Sequence, residues 1–238
     1  MVRIVKEQDY AEKRSEILDA AQRLVFSKGY ERLTIQDILH DLDISKGALY
    51  HYFDSKQVLL EALIERMQQQ AEAPLLPIVH DPHLNALEKL QQFFDSLGQL
   101  RAAHESFVVE LLPVWFADDN AIVRQKVDEA TLERRAPLIT EIVHQGIREG
   151  VFTPMYPDQA GHVVLTLALG VANTLGKLLL SPERERDESQ YIGSIIAIYG
   201  AYTDAIERVL GAPSGYLHRY DIAAVKQWVA TLRGDKET

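Results

Sequence analysis

The sequence predicts an all-α protein, and three observations support this fold class. Apolar residues recur at helical spacing along most of the chain, and no segment gives a convincing strand pattern. Residues that favour helix starts precede these periodic segments, and glycine or proline follows several of them. With 238 residues, the chain is long enough to bury a large core, in one domain or two.

Two helices are predicted at the amino-terminal end. An apolar stripe marks the first helix, and Gly29 follows it where a left-handed cap residue is expected. Thr34 is a favourable N-cap for a short second helix, and Asp37 falls three residues later, near the positive end of the helix. The stripe of the first helix consists of Ile17, Ala21, Leu24 and Val25, and the buried side of the second of Ile35, Ile38 and Leu39.

Two further helices follow after short links. Ser45 begins a third helix after the link "DLDI", and Ser55 begins a longer fourth helix. We expect Pro74 and Pro77 to end that fourth helix, because proline lacks the N–H that a helix interior requires.

The rest of the chain predicts a larger helical body. Asp81 and Pro82 form a cap-and-proline pair that is typical of a helix start. Pro113 predicts a kink or break, and Gly150 is expected to end a long helix. The predicted segments of the body are 81–101, 104–116, 118–150, 157–180, 187–210 and a short terminal helix over 222–232.

Composition narrows the function classes. The formal net charge of −10 predicts long-range repulsion of polyanions, which argues against a general nucleic-acid coat but not against a local docking face. The chain has no cysteine, which excludes disulfides, thiolate metal sites and cysteine nucleophiles. The start "MVRIVKEQDYAEKR" lacks the apolar run of a secretion signal, and we interpret the apolar stretch 163–180 as a buried helix rather than a membrane span. We therefore expect a soluble cytoplasmic protein.

The second and third helices predict a helix-turn-helix, because both are short, capped and joined by a tight link. Spacing alone is equally typical of a small helical hairpin inside a bundle. The chemistry of the third helix favours DNA: residues 44–53 contain no acidic side chain, and Gly47 and Ala48 leave room for close approach to base edges. The donors suited to phosphates and bases are Lys46, Tyr50, His51, Tyr52 and Lys56.

The segment "ILDAAQRLVFSKGYERLTIQDILHDLDISKGALYHYFDSKQVLL", residues 17–60, resembles the amino-terminal DNA-binding domain of the TetR family of bacterial transcriptional regulators. Its motifs "AA..L", "KGY", "T..DI" and "SKGALYHYF.SK" follow the order and spacing of that family. The chain departs from the family pattern in the second helix and the turn, at Ile35, Gln36, Leu39 and Asp43. Asp43 replaces a usual glycine, so we expect it to adopt an unusual backbone angle.

The resemblance implies a set of DNA contacts. Thr34, Tyr50 and Lys56 are expected at phosphates. Lys46, Gly47, Ala48 and His51 are expected in the groove, and Gln36 is expected to reach it from the second helix. Ser45 and Tyr52 complete the candidate set. Thr34 and Ser45 also act as caps, Leu49 and Phe53 are expected in the core, and Tyr52 either touches DNA or packs on the first helix.

Local charge limits the strength of this interface. Residues 1–56 hold nine Lys/Arg and ten Asp/Glu, a balance of −1. Attraction to phosphates must therefore come from a few placed cations and helix dipoles. We expect modest affinity for random DNA, with a marked loss at raised salt.

The division predicted from the sequence is a DNA-binding domain over residues 1–56 and a ligand-binding and dimerisation domain over 57–238. Small residues on the last two large helices are typical of close helix packing, either within the chain or in a homodimer, and the resemblance favours the homodimer. These residues are Gly170, Ala172, Gly176, Gly193, Ala197, Gly200 and Ala201.

The resemblance also implies a pocket for a small effector in the body. From amphipathic faces, its candidate residues are Met67, Phe94, Phe107, Glu110, Trp115, Phe116 and His144. Taken singly, each of these residues is more typical of ordinary core packing than of a ligand contact. The mixture of aromatic and scattered polar groups predicts a mainly apolar ligand that acts by shifting the population of two states.

Two functions remain open from the sequence. The first is a ligand-responsive DNA-binding regulator, usually a repressor in this family, acting as a homodimer on a near-palindromic operator. The second is an all-helical small-molecule-binding protein or enzyme with a degenerate DNA-binding head. The sequence gives no motif for a catalytic site, a cofactor or a metal, so we expect no enzyme activity.

Overall fold

A computed structural model of the chain describes residues 2–102, 105–181 and 187–217, with side chains over 8–96, 111–181, 187 and 189–217. These residues form α-helices and no strands, which confirms the all-α prediction. The helices are α1 (Val2–Lys28), α2 (Ile35–Leu42), α3 (Lys46–Tyr50), α4 (Lys56–Glu72), α5 (Leu75–Val79), α6 (Ala86–Ala102), α7 (Glu105–Phe116), α8 (Ala121–Arg148), α9 (Pro157–Leu179) and α10 (Glu188–Leu210), with a 3-10 turn at Asp118–Asn120.

The chain divides into two compact units. The first unit comprises Met1–Gln70 and Pro113–Ala130, and the second comprises Ala71–Leu112 and Thr131–Thr238. The functional boundary placed after residue 56 stays a prediction.

The core of the first unit joins α1 to α4 with the start of α8. Ile17, Ile38 and Leu49 are fully buried in it, and Val123 of α8 is 1% exposed in the same cluster. The fully buried Asn120 fixes the corner before α8: its Oδ1 accepts from the Tyr30 N–H at 2.8 Å, and its Nδ2 donates to the Val114 carbonyl at 2.9 Å. The Asn120 amide thus completes a core that is otherwise mainly apolar.

The second unit has a larger apolar core. Residues of α5, α6, α8, α9 and α10 contribute to it, among them Phe93, Ile139 and Val164. The buried Glu207 carboxylate accepts from the Gly215 and Leu217 N–H groups, both at 2.9 Å, and so anchors the turn after α10. The predicted terminal helix over 222–232 lies outside the described residues.

The predicted start of α6 is wrong, and the predicted end of α4 is confirmed for Pro74 but not for Pro77. Asp81 does not cap α6; its Oδ1 accepts from the His83 N–H at 2.8 Å within a turn, and Asn85 accepts from the N–H groups of Leu87 and Glu88 instead. The fourth helix ends at Glu72, and Pro77 lies inside the separate short helix α5 rather than ending α4. Pro77 is the third residue of α5. The N–H groups of the first four residues of a helix have no carbonyl acceptor within the helix, so a proline there costs no hydrogen bond.

Helix α9 is only partly buried within the single chain. Among the described residues it is the helix whose length and composition would allow a membrane span, and 22% of its most apolar window is buried. One such helix is weak evidence for a span, because core and interface helices of soluble proteins have the same composition. The expected burial of this stretch is therefore incomplete in one copy of the chain.

Candidate nucleic-acid interface

The start of α2 is fixed by a reciprocal cap. The Thr34 hydroxyl accepts from the Asp37 N–H at 3.2 Å, while an Asp37 carboxylate oxygen accepts from the Thr34 N–H at 2.7 Å and from its hydroxyl at 2.6 Å. The Lys28 ammonium pairs with the same carboxylate. Hydrogen bonds from Lys28 and then from Thr34 hold the pKa of Asp37 well below its ordinary value.

The turn between α2 and α3 depends on Asp43. This residue adopts φ 49° and ψ 48°, the left-handed region, and is the one non-glycine residue with positive φ in the described part of the chain. Aspartate tolerates this region better than most residues, so the expected unusual angle is confirmed. Ser45 then begins α3, with its hydroxyl accepting from the Ala48 N–H at 3.2 Å.

Helix α3 has one buried and one exposed side. Leu49 is fully buried and Phe53, just beyond the helix, is 2% exposed, so both predicted core positions are confirmed. The Arg14 guanidinium lies 5.0 Å from the centre of the Phe53 ring. The side chains of Lys46, Tyr50 and His51 are exposed, and the Lys46 ammonium lies 5.7 Å from the Tyr50 ring. The core therefore presents the donors of α3 to solvent.

A groove between α2 and α3 brings three predicted contacts together. Gln36, Ser45 and Lys46 line it, together with the turn residue Asp43. Gly47 is exposed beside this groove, and a Cβ placed on it would meet only the Ser45 hydroxyl oxygen, at 4.0 Å. The fold itself does not require glycine here. Ala48 is half-buried.

His51 and Tyr52 form an aromatic cluster with Tyr10 of α1. The Tyr10 and Tyr52 ring centres are 4.7 Å apart, and the His51 ring stands nearly perpendicular to both. Tyr52 is half-buried against the core, and its ring contacts Tyr10, so the predicted packing on the first helix is confirmed. A DNA contact by Tyr52 stays a prediction. Tyr10 was missed from the sequence, although it lies seven residues before Ile17 on the same helical face.

Lys56 is more constrained than the sequence suggested. Its ammonium donates to the Tyr30 carbonyl at 2.6 Å and lies 4.1 Å from the Tyr30 ring centre. Burial lowers the pKa of Lys56, while the negative charges of Glu31 and Asp37 oppose that effect. Lys56 thus joins the loop before α2 to the start of α4, and a phosphate contact by it stays a prediction.

The predicted effector residues fall in both units. In the first unit, Met67 and Trp115 pack against the core and the Phe116 ring lies 5.6 Å from the Arg124 guanidinium. In the second unit, Phe94 packs on Phe93, and the His144 ring nitrogen Nε2 lies 3.1 Å from an Asp158 carboxylate oxygen. The side chains of Phe107 and Glu110 lie outside the described residues. The effector set stays a prediction.

Comparisons with known proteins agree with this geometry. Residues 17–63 match the family model "Bacterial regulatory proteins, tetR family", and residues 116–177 match "Tetracyclin repressor-like, C-terminal domain". Over 144 residues the chain is 28% identical to the HTH-type transcriptional regulator TtgR of Pseudomonas putida, covering 60% of this chain and 54% of that protein. It is 27% identical to the HTH-type transcriptional repressor KstR2 of Mycobacterium tuberculosis over 146 residues, covering 60% and 70%. The chain therefore spans about half the length of the first of these relatives.

Solved structures show the same fold. Escherichia coli NemR in its reduced form matches with a TM-score of 0.55 at 18% identity, covering 85% of this chain and 99% of that one. A transcriptional regulator from Cytophaga hutchinsonii matches with a TM-score of 0.54 at 23% identity, covering 83% and 98%. The fold and the capped α2–α3 unit define a helix-turn-helix domain followed by a helical body, the architecture of these regulators. Both matched segments are those of TetR-family bacterial regulators, in agreement with the sequence resemblance.

Proposed function

We propose that the chain is a ligand-responsive repressor that binds a near-palindromic DNA operator as a homodimer and is released by a small, mainly apolar effector. In this proposal, residues 1–56 bind DNA and residues 57–238 bind the effector and the second copy. The protein acts in the cytoplasm, where its DNA target is. The observation that carries the proposal is the exposed face of hydrogen-bond donors on α3, which the buried Leu49 and Phe53 anchor to the core.

The DNA-binding part is supported by side chains that the fold leaves available. Lys46, Tyr50 and His51 are exposed next to a glycine for which the chain itself has no steric need. A glycine in a helix lowers helix propensity by about 1 kcal/mol relative to alanine, so its presence favours a close approach by something outside the chain. Base edges in the major groove fit donors of this kind.

The homodimer is supported by the different surroundings of the small residues on α9 and α10. A Cβ on Gly170 of α9 would meet the Tyr202 ring at 3.0 Å, so this glycine serves packing within the chain. A Cβ on Gly193 or Gly200 of α10 would meet nothing within 4 Å, and Ala197 and Ala201 are exposed. These four residues lie at helical spacing on α10 and fit close packing against a second copy.

Two-fold symmetry joins these parts. One recognition helix reads few base pairs, and a dimer presents two of them to half-sites related by a two-fold axis. An effector that binds better to the state in which the two recognition helices no longer match successive grooves would release the DNA. The relatives are regulators and a repressor by name, which supports repression as the sign of regulation.

Selection from a randomised duplex library tests the proposal. The full chain should enrich an inverted repeat, and Tyr50→Ala should abolish enrichment while its circular dichroism and melting temperature stay unchanged. Tyr156→Ala is the matched control, because Tyr156 lies in the second unit and is 69% exposed. If no sequence is enriched, or if Tyr50→Ala enriches the same repeat, the chain is not an operator-binding repressor and the small-molecule-binding alternative gains support.

A further inference from the structure

We propose that Tyr10 is a positioning residue for DNA recognition: it holds the His51 ring in one orientation and thereby narrows the base preference at the pair that His51 reads. The inference rests on the proposed function and adds to it a residue from the amino-terminal half of α1. Tyr10 lies outside the segment matched by the family model, which begins at residue 17.

The cluster geometry carries the first step. The His51 ring centre lies 5.7 Å from that of Tyr10 at an interplanar angle of 85°, and 5.1 Å from that of Tyr52 at 79°. Tyr10 and Tyr52 in turn lie 4.7 Å apart at 32°. The two pairs that His51 makes are edge-to-face, and aromatic rings favour this arrangement at these separations. Two rings that contact each other therefore both hold the imidazole.

The position of Tyr10 on α1 is fixed by the core. Tyr10, Arg14 and Ile17 follow one another at four and three residues, so they lie on one face of the helix. Ile17 is fully buried, and the Arg14 guanidinium lies over the Phe53 ring. The face of α1 that packs against the helix-turn-helix thus continues to Tyr10, whose own side chain is 40% exposed at the edge of the core.

The position of His51 makes its orientation important. Its backbone caps α3, with its N–H donating to the Gly47 carbonyl at 3.1 Å, and its side chain is exposed. Hydrogen bonds weaken steeply when their angle departs from linear, so an imidazole that rotates freely discriminates poorly between base edges. A ring held by two neighbours loses less conformational entropy on binding DNA.

A purely structural Tyr10 predicts a different outcome. If the ring only fills space beside Tyr52, its removal lowers stability and weakens binding to every DNA sequence by the same factor. If it orients His51, its removal changes the ratio of affinities between sequences, and that change requires His51 to be present.

The experiment is a double-mutant cycle read out as base preference. The enriched duplex and its single-base-pair variants are titrated with the full chain, Tyr10→Ala, His51→Ala and the double variant, with Tyr156→Ala as the control. We expect Tyr10→Ala to reduce discrimination at one base pair in each half-site by about threefold to tenfold, the range for an aromatic pair. In the His51→Ala background, Tyr10→Ala should produce no further change in discrimination.

Tyr10→Leu keeps apolar volume without the aromatic ring and provides the same comparison should Tyr10→Ala fold poorly. It should also lose discrimination, whereas Tyr10→Phe should retain it. Equal weakening across all duplexes, an unchanged preference, or a preference change that persists without His51 each overturn the inference while leaving the proposed repressor intact. Failure of the wild-type chain to enrich any duplex would instead reject the proposed function itself.

Discussion

Gly47 in α3 and Gly200 in α10 are both helical glycines with room for a side chain inside one copy of the protein. A Cβ on Gly47 would meet only one hydroxyl oxygen at 4.0 Å, and a Cβ on Gly200 would meet nothing within 4 Å. Their neighbours differ, because Gly47 lies among polar donors whereas Gly200 lies beside exposed alanines. The two surfaces therefore suit different partners: a polar groove of DNA for α3 and a second copy of an apolar helix for α10.

The largest expected effect comes from removing the Phe53 side chain, which supports the exposed face of α3 from the core. Phe53→Ala deletes a ring that is 2% exposed and lies beneath Arg14. We expect the free energy of unfolding to fall by about 3 to 5 kcal/mol, measured by urea denaturation, with loss of DNA binding. A fall below about 1 kcal/mol would mean that α3 does not depend on this core.

A bulky residue on α10 tests the second surface. Gly200→Leu should weaken association by about tenfold to a hundredfold, as an overpacked interface costs about 1 to 3 kcal/mol. Sedimentation velocity across a concentration series measures the change, and Gly200→Ala should lie between wild type and leucine. Unchanged association in both variants would show that this face of α10 is not covered by a second copy.

Adding a methyl group at Gly47 of α3 should change stability and DNA affinity in opposite directions. Gly47→Ala should raise the free energy of unfolding by about 0.5 to 1 kcal/mol, because alanine favours the helix and finds space here. The same change should weaken binding to the enriched duplex, measured by fluorescence anisotropy, because the added methyl stands where base edges approach. Full affinity in a stabilised variant would mean that Gly47 does not lie against DNA.

The cap of α2 has the smallest expected effect. Thr34→Ala should lower the free energy of unfolding by about 1 kcal/mol, because the Asp37 N–H loses its acceptor. Serine at the same position keeps the hydroxyl and is the matched control. Equal losses for alanine and serine would show that the hydroxyl is not the important group.

The same cap predicts a dependence of stability on pH. The pKa of Asp37 is depressed in the folded protein, so its contribution is complete above the unfolded value of about 3.9 and is lost as the pH falls below it. Asp37→Asn should remove this part of the acid loss in urea titrations between pH 6 and pH 3. An unchanged pH profile in the variant would contradict the assignment.

The sequence predicted those features that local chemistry determines. Caps, turns and helical stripes are encoded within a few residues, so they were predicted correctly. They include the caps Thr34 and Ser45, the positive φ angles of Gly29 and Asp43, and the burial of Leu49 and Phe53. Asn85 replaced Asp81 as a cap because both fit the rule and only the packing of α6 selects between them. Two asparagine or aspartate residues close together give the same local signal.

Features that join distant residues could not be predicted in this way. Tyr10 meets His51 across 41 positions, and Asn120 binds the backbone of Tyr30 across 90. No periodicity links these pairs, since their contact depends on how separate helices pack. The hydrogen bond from Lys56 to the Tyr30 carbonyl could not be predicted for the same reason, because it exists only in the folded unit.

In the proposed function, DNA covers α3 while a second copy of the chain covers α10. Native mass spectrometry of the full chain with a duplex carrying one enriched inverted repeat tests it most directly. We predict that two chains load together onto each duplex, with the one-chain complex scarcely populated, and that Gly200→Leu shifts the population towards one chain. Independent loading of single chains by the wild type, or an unchanged distribution for Gly200→Leu, would contradict the account.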